Sequence, residues 1–332
     1  MRRHIAAALI GTALLPRGNA TAQGGTIDSQ CRATTVAERT TQDACQKAID
    51  LFLFMAPQLG GALTGGNAIS GEHSVIGRGG HSSVGIRFNV VNARLPLVDD
   101  VSPAITGAVA SDYAIKEQVI PVPTIDAAVG IFRGVPIGGS YAFGLDGLLN
   151  VAVVPSLSAG DFEVSLPDGP VRLGIGARVS LVSESVLTPG ISFSFLRRDL
   201  PHLAVKGSPG ADEIEIDDFQ VRTSAWRGVI GKSLGVVVLT GGFGQDRYRT
   251  STIAQVRVTR GGVTTSASRI VATQTMRRDN AFGSVALDLG AFALVAEGGR
   301  ASGGRVATYN TFAGKRADDP LTYGSAGFRF RF

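Results

Sequence analysis

The sequence predicts an all-β fold, a closed antiparallel transmembrane β-barrel of about 10 strands preceded by a short, partly helical N-terminal module. Three observations predict it. The 332 residues are 44% hydrophobic and only 18% charged, yet no run reaches the roughly 18–20 apolar residues that a membrane helix requires. From about residue 81 onward, apolar and polar residues alternate with a period of two, over stretches as long as a tilted membrane-crossing strand. The polar connections between these stretches alternate between short and long. The 44 glycines follow no collagen-like period and lie among Val, Ile, Leu and Phe, a mixture that suits curved strands and tight turns.

Residues 1–22 read as a secretory signal. Arg2, Arg3 and His4 form a positive start, Ile5 to Leu15 an apolar stretch too short to span a bilayer, and Ala20-Thr21-Ala22 a small-residue cleavage site. The mature chain then begins at Gln23. The 32 Lys and Arg, less the three leader arginines, leave 29 basic against 27 acidic side chains. That near balance, without a basic stripe interleaved with aromatics, argues against a nucleic-acid partner.

Residues 23–80 are expected to form a separate segment, either periplasmic or a plug in the barrel mouth. Its Cys31 and Cys45 are the chain's two cysteines. In an exported chain they predict one disulfide, since two cysteines without a suitably spaced His make a poor zinc site. The pattern predicts a helix over 34–56, closed by Pro57.

Residues 81–332 supply the barrel. The expected strands are 82–95, 119–133, 139–154, 170–183, 190–199, 216–230, 234–248, 278–289, 291–300 and 321–332. Between 250 and 280, Ile253 to Val256 and Ile270 to Ala272 either extend neighbouring strands above the membrane or add a hairpin, giving 12. The alternation predicts lumen-facing charges at Arg87, Asp126, Asp146, Arg172, Arg178, Arg222, Asp246, Asp288, Glu297, Arg329 and Arg331. An Arg facing lipid at mid-membrane would cost about 2–4 kcal/mol.

The final stretch, Tyr323-Gly324-Ser325-Ala326-Gly327-Phe328-Arg329-Phe330-Arg331-Phe332, resembles the terminal assembly signal of Gram-negative outer-membrane β-barrels. Tyr323, Phe328, Phe330 and Phe332 carry the resemblance. It implies insertion by the barrel-assembly machinery and a setting among outer-membrane lipid and lipopolysaccharide, without naming a subfamily. One Trp and five Tyr leave thin interfacial girdles, or girdles built from Phe.

Few motifs carry chemistry. Gly231-Lys232-Ser233-Leu234-Gly235 matches the G-x-S-x-G of serine hydrolases, but that motif needs a strand–turn–helix elbow and this one falls between two strands. His202, near Asp199, could form an acid–base pair or stand as a solvated loop histidine. Asp212, Glu213, Glu215, Asp217 and Asp218 could hold a divalent cation or simply hydrate a loop. No catalytic, cofactor or metal site is expected. The leading functional expectation is a small channel or transporter for small solutes. The alternatives are a closed structural or surface-interaction barrel working through its outer loops, and a barrel-embedded hydrolase using His202 and Ser233.

Overall fold

The computed structural model describes residues 25–77, 79–98, 101–153, 157–159, 162–199, 202–207 and 212–332. The expected leader lies outside the described residues. Ten antiparallel strands form the wall: β1 Ser82–Pro96, β2 Ile115–Phe132, β3 Gly144–Val153, β4 Val171–Val182, β5 Gly190–Asp199, β6 Glu213–Leu234, β7 Val237–Arg260, β8 Ile270–Asp288, β9 Phe292–Ser302 and β10 Leu321–Arg331. Each pairs with its sequence neighbours, and β10 pairs with β1 over Tyr323–Arg331 to close the ring. No wall strand is left with a free edge at the level of that pairing, which a barrel in lipid requires.

The segment 250–280 adds no wall strand. It lengthens β7 and β8, which pair from Val237 with Leu287 up to Ala254 with Ile270. The short strand Val263–Ser266 folds back onto β7. On the other side, Leu203–Gly207 takes the place of β5 beside upper β6. The alternating residues 140–142 belong to a small hairpin of Val135–Ile137 with Ser140–Ala142, so β3 starts after Phe143.

Short connections join β4 to β5, β6 to β7 and β8 to β9 at one end, where β1 also begins and β10 ends. In barrels of this type that end is periplasmic and the long-loop end extracellular. The lower outer face is apolar: Ile86, Phe88, Val129, Ile175, Phe193, Phe243, Val285 and Phe328 are all exposed. On β7 the lower outward phase runs from Val237 through Leu239 and Phe243 to Gln245, within the ~9–11 residues of one crossing.

Above that level the chemistry inverts without a change of strand phase. On β7 the inward residues Ala254, Val256 and Val258 are buried, while Gln255 and Arg257 face out. The reason is helix α1, Val36–Thr64, which occupies the lumen. Phe52 packs edge-on against Phe219 of β6 with ring centroids 5.5 Å apart, and the core they share includes Ile214, Ile216, Val256 and Ile270. Outside the bilayer the helix, rather than lipid, receives the apolar face. Leu51 and Phe54 pack on its loop side, where Phe54 stacks on Phe312 and Phe312 on Tyr113.

The helix starts as its sequence dictates. Thr35 caps it, and Glu38 returns the contact to the Thr35 N–H at 2.9 Å, a capping box. The Cys31–Cys45 disulfide ties the preceding turn to it. The expected end at Pro57 is corrected: α1 continues seven residues further, to Thr64. Proline removes one helical donor, here the partner of the Leu53 carbonyl, and Gln274 Nε2 of β8 donates to that oxygen at 3.1 Å. At Gly61 a Cβ would lie 2.2 Å from Leu321 Cδ2, so glycine lets the lower helix touch the wall.

Candidate functional site

The chain passes through the lumen from end to end. Near its start, Gln30 exchanges two hydrogen bonds with the Val271 backbone on upper β8. Asp50 accepts from the backbone and side-chain nitrogens of Asn310 in the long connection after β9, at 2.8 and 2.6 Å. Halfway down, Thr64 Oγ1 meets Tyr248 Oη at 3.0 Å. Gly66 then turns the chain out of the helix with φ +79°, where a Cβ would collide with Arg87 Nη1. At the bottom, the Ile76 N–H donates to Asp146.

Most of the charges read from the alternation lie on the inner face and are paired. Arg87 Nε donates to Asp126 at 2.9 Å, and Asn150 donates to the other Asp126 oxygen at 2.6 Å. Arg178 grips Asp146 with Nε at 2.9 Å and Nη2 at 2.5 Å. Asp246 holds Arg227 at 2.6 Å. Glu297 accepts from the Asn67 N–H at 2.7 Å and from Ser70 Oγ at 2.8 Å. Arg331 donates to Asp288 at 2.6 Å near the lower rim, and Arg172 stands near the upper rim with Asp168 at 3.5 Å.

Glu72, from the segment below α1, links this network. It reaches Arg178 at 3.3 Å, Arg331 at 3.3 Å and Arg329 at 3.5 Å. Most of these wall charges are therefore paired around a peptide, and among the described residues the cavity beside Leu63, Asn150 and Arg198 and the one beside Ser70, Arg87 and Arg329 hold only about 10 Å³ each.

Arg222 is corrected: it faces outward and is exposed, while Val221 and Thr223 face in. Above the membrane the inner position goes to residues that pack on α1, so polarity there no longer marks the lumen. A bulge between Asp217 and Gln220, with Asp218 at φ +52°, separates this part of β6 from its start. Arg198, Arg227 and Arg278 are lumen charges that the sequence reading missed. Arg198 shares the phase of Ser192 and Ser194 and was open to the same argument. Of the assembly-signal residues, Phe328, Phe330 and Phe332 are exposed, and Tyr323 points inward and donates to Asn280 at 2.9 Å.

The hydrolase candidates are far apart in the fold. His202 lies at the long-loop end beside Asp218, at 2.7 Å, and Asp168, at 3.8 Å. Ser233 lies near the end of β6, beside the short turn at the opposite end. There it meets Glu184 and His73: Ser233 Oγ donates to Glu184 Oε2 at 2.7 Å, and His73 Nε2 lies 2.6 Å from the same oxygen. The carboxylate stands between hydroxyl and imidazole, whereas an activated serine needs its base in direct contact. The cluster fastens the plug's exit to two wall turns. Burial pushes the Glu184 carboxyl up, but the bonds from Ser233 and His73 outweigh it and hold its pKa at about 2. In the acidic stretch, Asp212 pairs with Arg260 and Glu213 with Arg257, at 2.5 and 2.6 Å.

Ten closed strands, an apolar lower exterior and a charged interior filled along its length by the N-terminal segment now stand together. The chain folds as an outer-membrane β-barrel. No protein-family model matches it, and no curated protein sequence does. Among solved structures it is similar to the translocator domain of the autotransporter NalP from Neisseria meningitidis, at 10% identity and TM-score 0.37 over 89% of this chain and 96% of that one. It is also similar to the transport unit of AIDA-I from Escherichia coli (6% identity, TM-score 0.32, 87% and 99% covered). A third is the attachment protein Ail of Yersinia pestis (11% identity, TM-score 0.28, 77% and 99% covered). At these values the likeness carries no inference about activity.

Proposed function

We propose that the protein is a closed, helix-plugged barrel of the Gram-negative outer membrane that works through its extracellular end and not by passing solutes. One observation carries this reading: the lumen is occupied from Gln30 to Ile76, with Asp50, Thr64, Asn67, Ser70, Glu72 and His73 all bonded to wall or loops. An open channel needs a continuous water path past fixed charges, and here those charges bind the plug. The upper halves of β6, β7 and β8 extend above the apolar band and, with the disulfide-tied N-terminal turn, form a rigid outer platform for contact with other molecules. Export by the leader and insertion by the assembly machinery belong to the same proposal.

Planar-bilayer recording of the refolded full-length protein tests it. The expected result is a silent membrane. Reproducible unitary conductance steps from the intact chain would overturn the closed-barrel reading in favour of a small-solute channel.

A further inference from the structure

Five arginines stand on the outer surface of β5 to β8, beginning where the outward apolar residues of each strand stop. On β5 the outward series runs Ile191, Phe193, Phe195, then Arg197. On β6, Ile230 and Trp226 precede Arg222; on β7, Leu239 and Phe243 precede Arg247 and Arg249; on β8, Val285 precedes Arg277. The strands are in register, so Arg197, Ser224, Arg247 and Arg277 form one row and Asp199, Arg222, Arg249 and Thr275 the next.

This arrangement opposes the protein's own electrostatics. Arg222 faces Arg249 directly, and Arg247 faces Arg277 directly, and like charges at opposed positions are destabilising. Among the described residues, Arg197 alone of the five has a carboxylate within 4 Å, that of Asp199 at 3.6 Å. Nearby Asp279 takes the Gln245 amide at 3.0 Å. Arg247 Nε is covered yet has no hydrogen-bond partner. A groove of about 460 Å³ lies over four of the five, Arg197, Arg222, Arg247 and Arg249. Just below it, Trp226 lies stacked on Phe193 and edge-on to Phe243, with centroids 5.4 and 5.9 Å apart. Such an aromatic cluster marks the level where acyl chains give way to headgroups.

We infer that this groove binds the phosphorylated headgroup of an outer-leaflet lipid, with its acyl chains lying on Phe193, Trp226 and Phe243. Guanidinium groups match phosphate oxygens in a two-pronged geometry. A row spanning four strands suits a headgroup with more than one phosphate, and the position at the aromatic boundary selects a lipid over a soluble polyanion.

Trp226 is the chain's one tryptophan, so its emission reports the site. Full-length protein in neutral-detergent micelles is titrated with diphosphorylated lipid A, with dephosphorylated lipid A and with inorganic phosphate. The wild type is expected to respond to the diphosphorylated lipid at least tenfold more tightly than to either control, with affinity falling as salt rises. The double variant R222Q/R249Q is expected to lose at least tenfold in affinity. Having shed an opposed like-charge pair, it should melt no lower than wild type in lipid-free detergent, which separates lost binding from lost folding. Equal affinity for the dephosphorylated lipid, an unchanged affinity in the variant, or equally tight binding of free phosphate would each overturn the inference.

Discussion

Gln274 of β8 donates its side-chain amide to the Leu53 carbonyl at 3.1 Å, the oxygen that Pro57 deprives of its helical partner. A barrel strand thus completes a helix inside the lumen. Gln274→Ala leaves that carbonyl unsatisfied, which costs about 1–3 kcal/mol. Placed on the P57A background, which restores a helical donor, the same substitution should cost clearly less. A double-mutant cycle of urea unfolding in detergent checks this, and strictly additive effects would show that the two residues are not coupled.

The lower latch should depend on acid in a defined direction. Hydrogen bonds from Ser233 and His73 hold the Glu184 pKa at about 2, below its ordinary 4.5. A depressed carboxyl pKa contributes stability that is fully present above the unfolded value and is lost as pH falls through the folded one. The melting temperature of wild type should therefore exceed that of E184Q by a constant margin above pH 4.5. The margin should close between there and pH 2. A margin that is flat across this window would mean that the ionised carboxylate is not what holds the turn.

The disulfide should guard only the outer N-terminal segment. Cys31 and Cys45 close a loop 14 residues apart in sequence, worth about 3 kcal/mol for a loop near 15 residues, and the wall strands pair without them. Reduction, or the C31S/C45S variant, should loosen the backbone at the already exposed Arg32 and Arg39 enough for trypsin to cut there, while the barrel keeps its heat-modifiable mobility on gels. Loss of that mobility on reduction would show that the wall also depends on the bridge.

The wall was legible because each strand carries its own period and pairs with its sequence neighbours. Val84 to Val90 and Phe328 to Phe332 announce their faces without outside help. Arg222 shows where that logic ends: polarity marks the lumen only while lipid lies outside, and beside α1 the apolar residues of β6 turn inward. The helix end at Pro57 was illegible for a different reason. Its compensating partner, Gln274, lies 221 residues from Leu53, and no local pattern encodes it. Glu72 and Glu184 were overlooked likewise, as isolated carboxylates in irregular segments whose partners come from strands and turns far along the chain.

The Glu72 network leads to the sharpest test of the plug. Three arginines reach Glu72, but their alternatives differ. Arg178 keeps Asp146 and Arg331 keeps Asp288, whereas among the described residues Arg329 otherwise bonds only the Ser83 hydroxyl and the Ala68 carbonyl. In E72Q the buried Arg329 guanidinium loses its one carboxylate within 4 Å among the described residues. Leaving a buried charge uncompensated costs about 3–5 kcal/mol. E72Q should lower the melting temperature of the folded barrel markedly, and adding R329M should recover much of the loss because it removes the stranded charge. If the double variant falls further than E72Q alone, Arg329 contributes chiefly through Ser83 and Ala68, and the plug is fastened by hydrogen bonding to its backbone and not by charge.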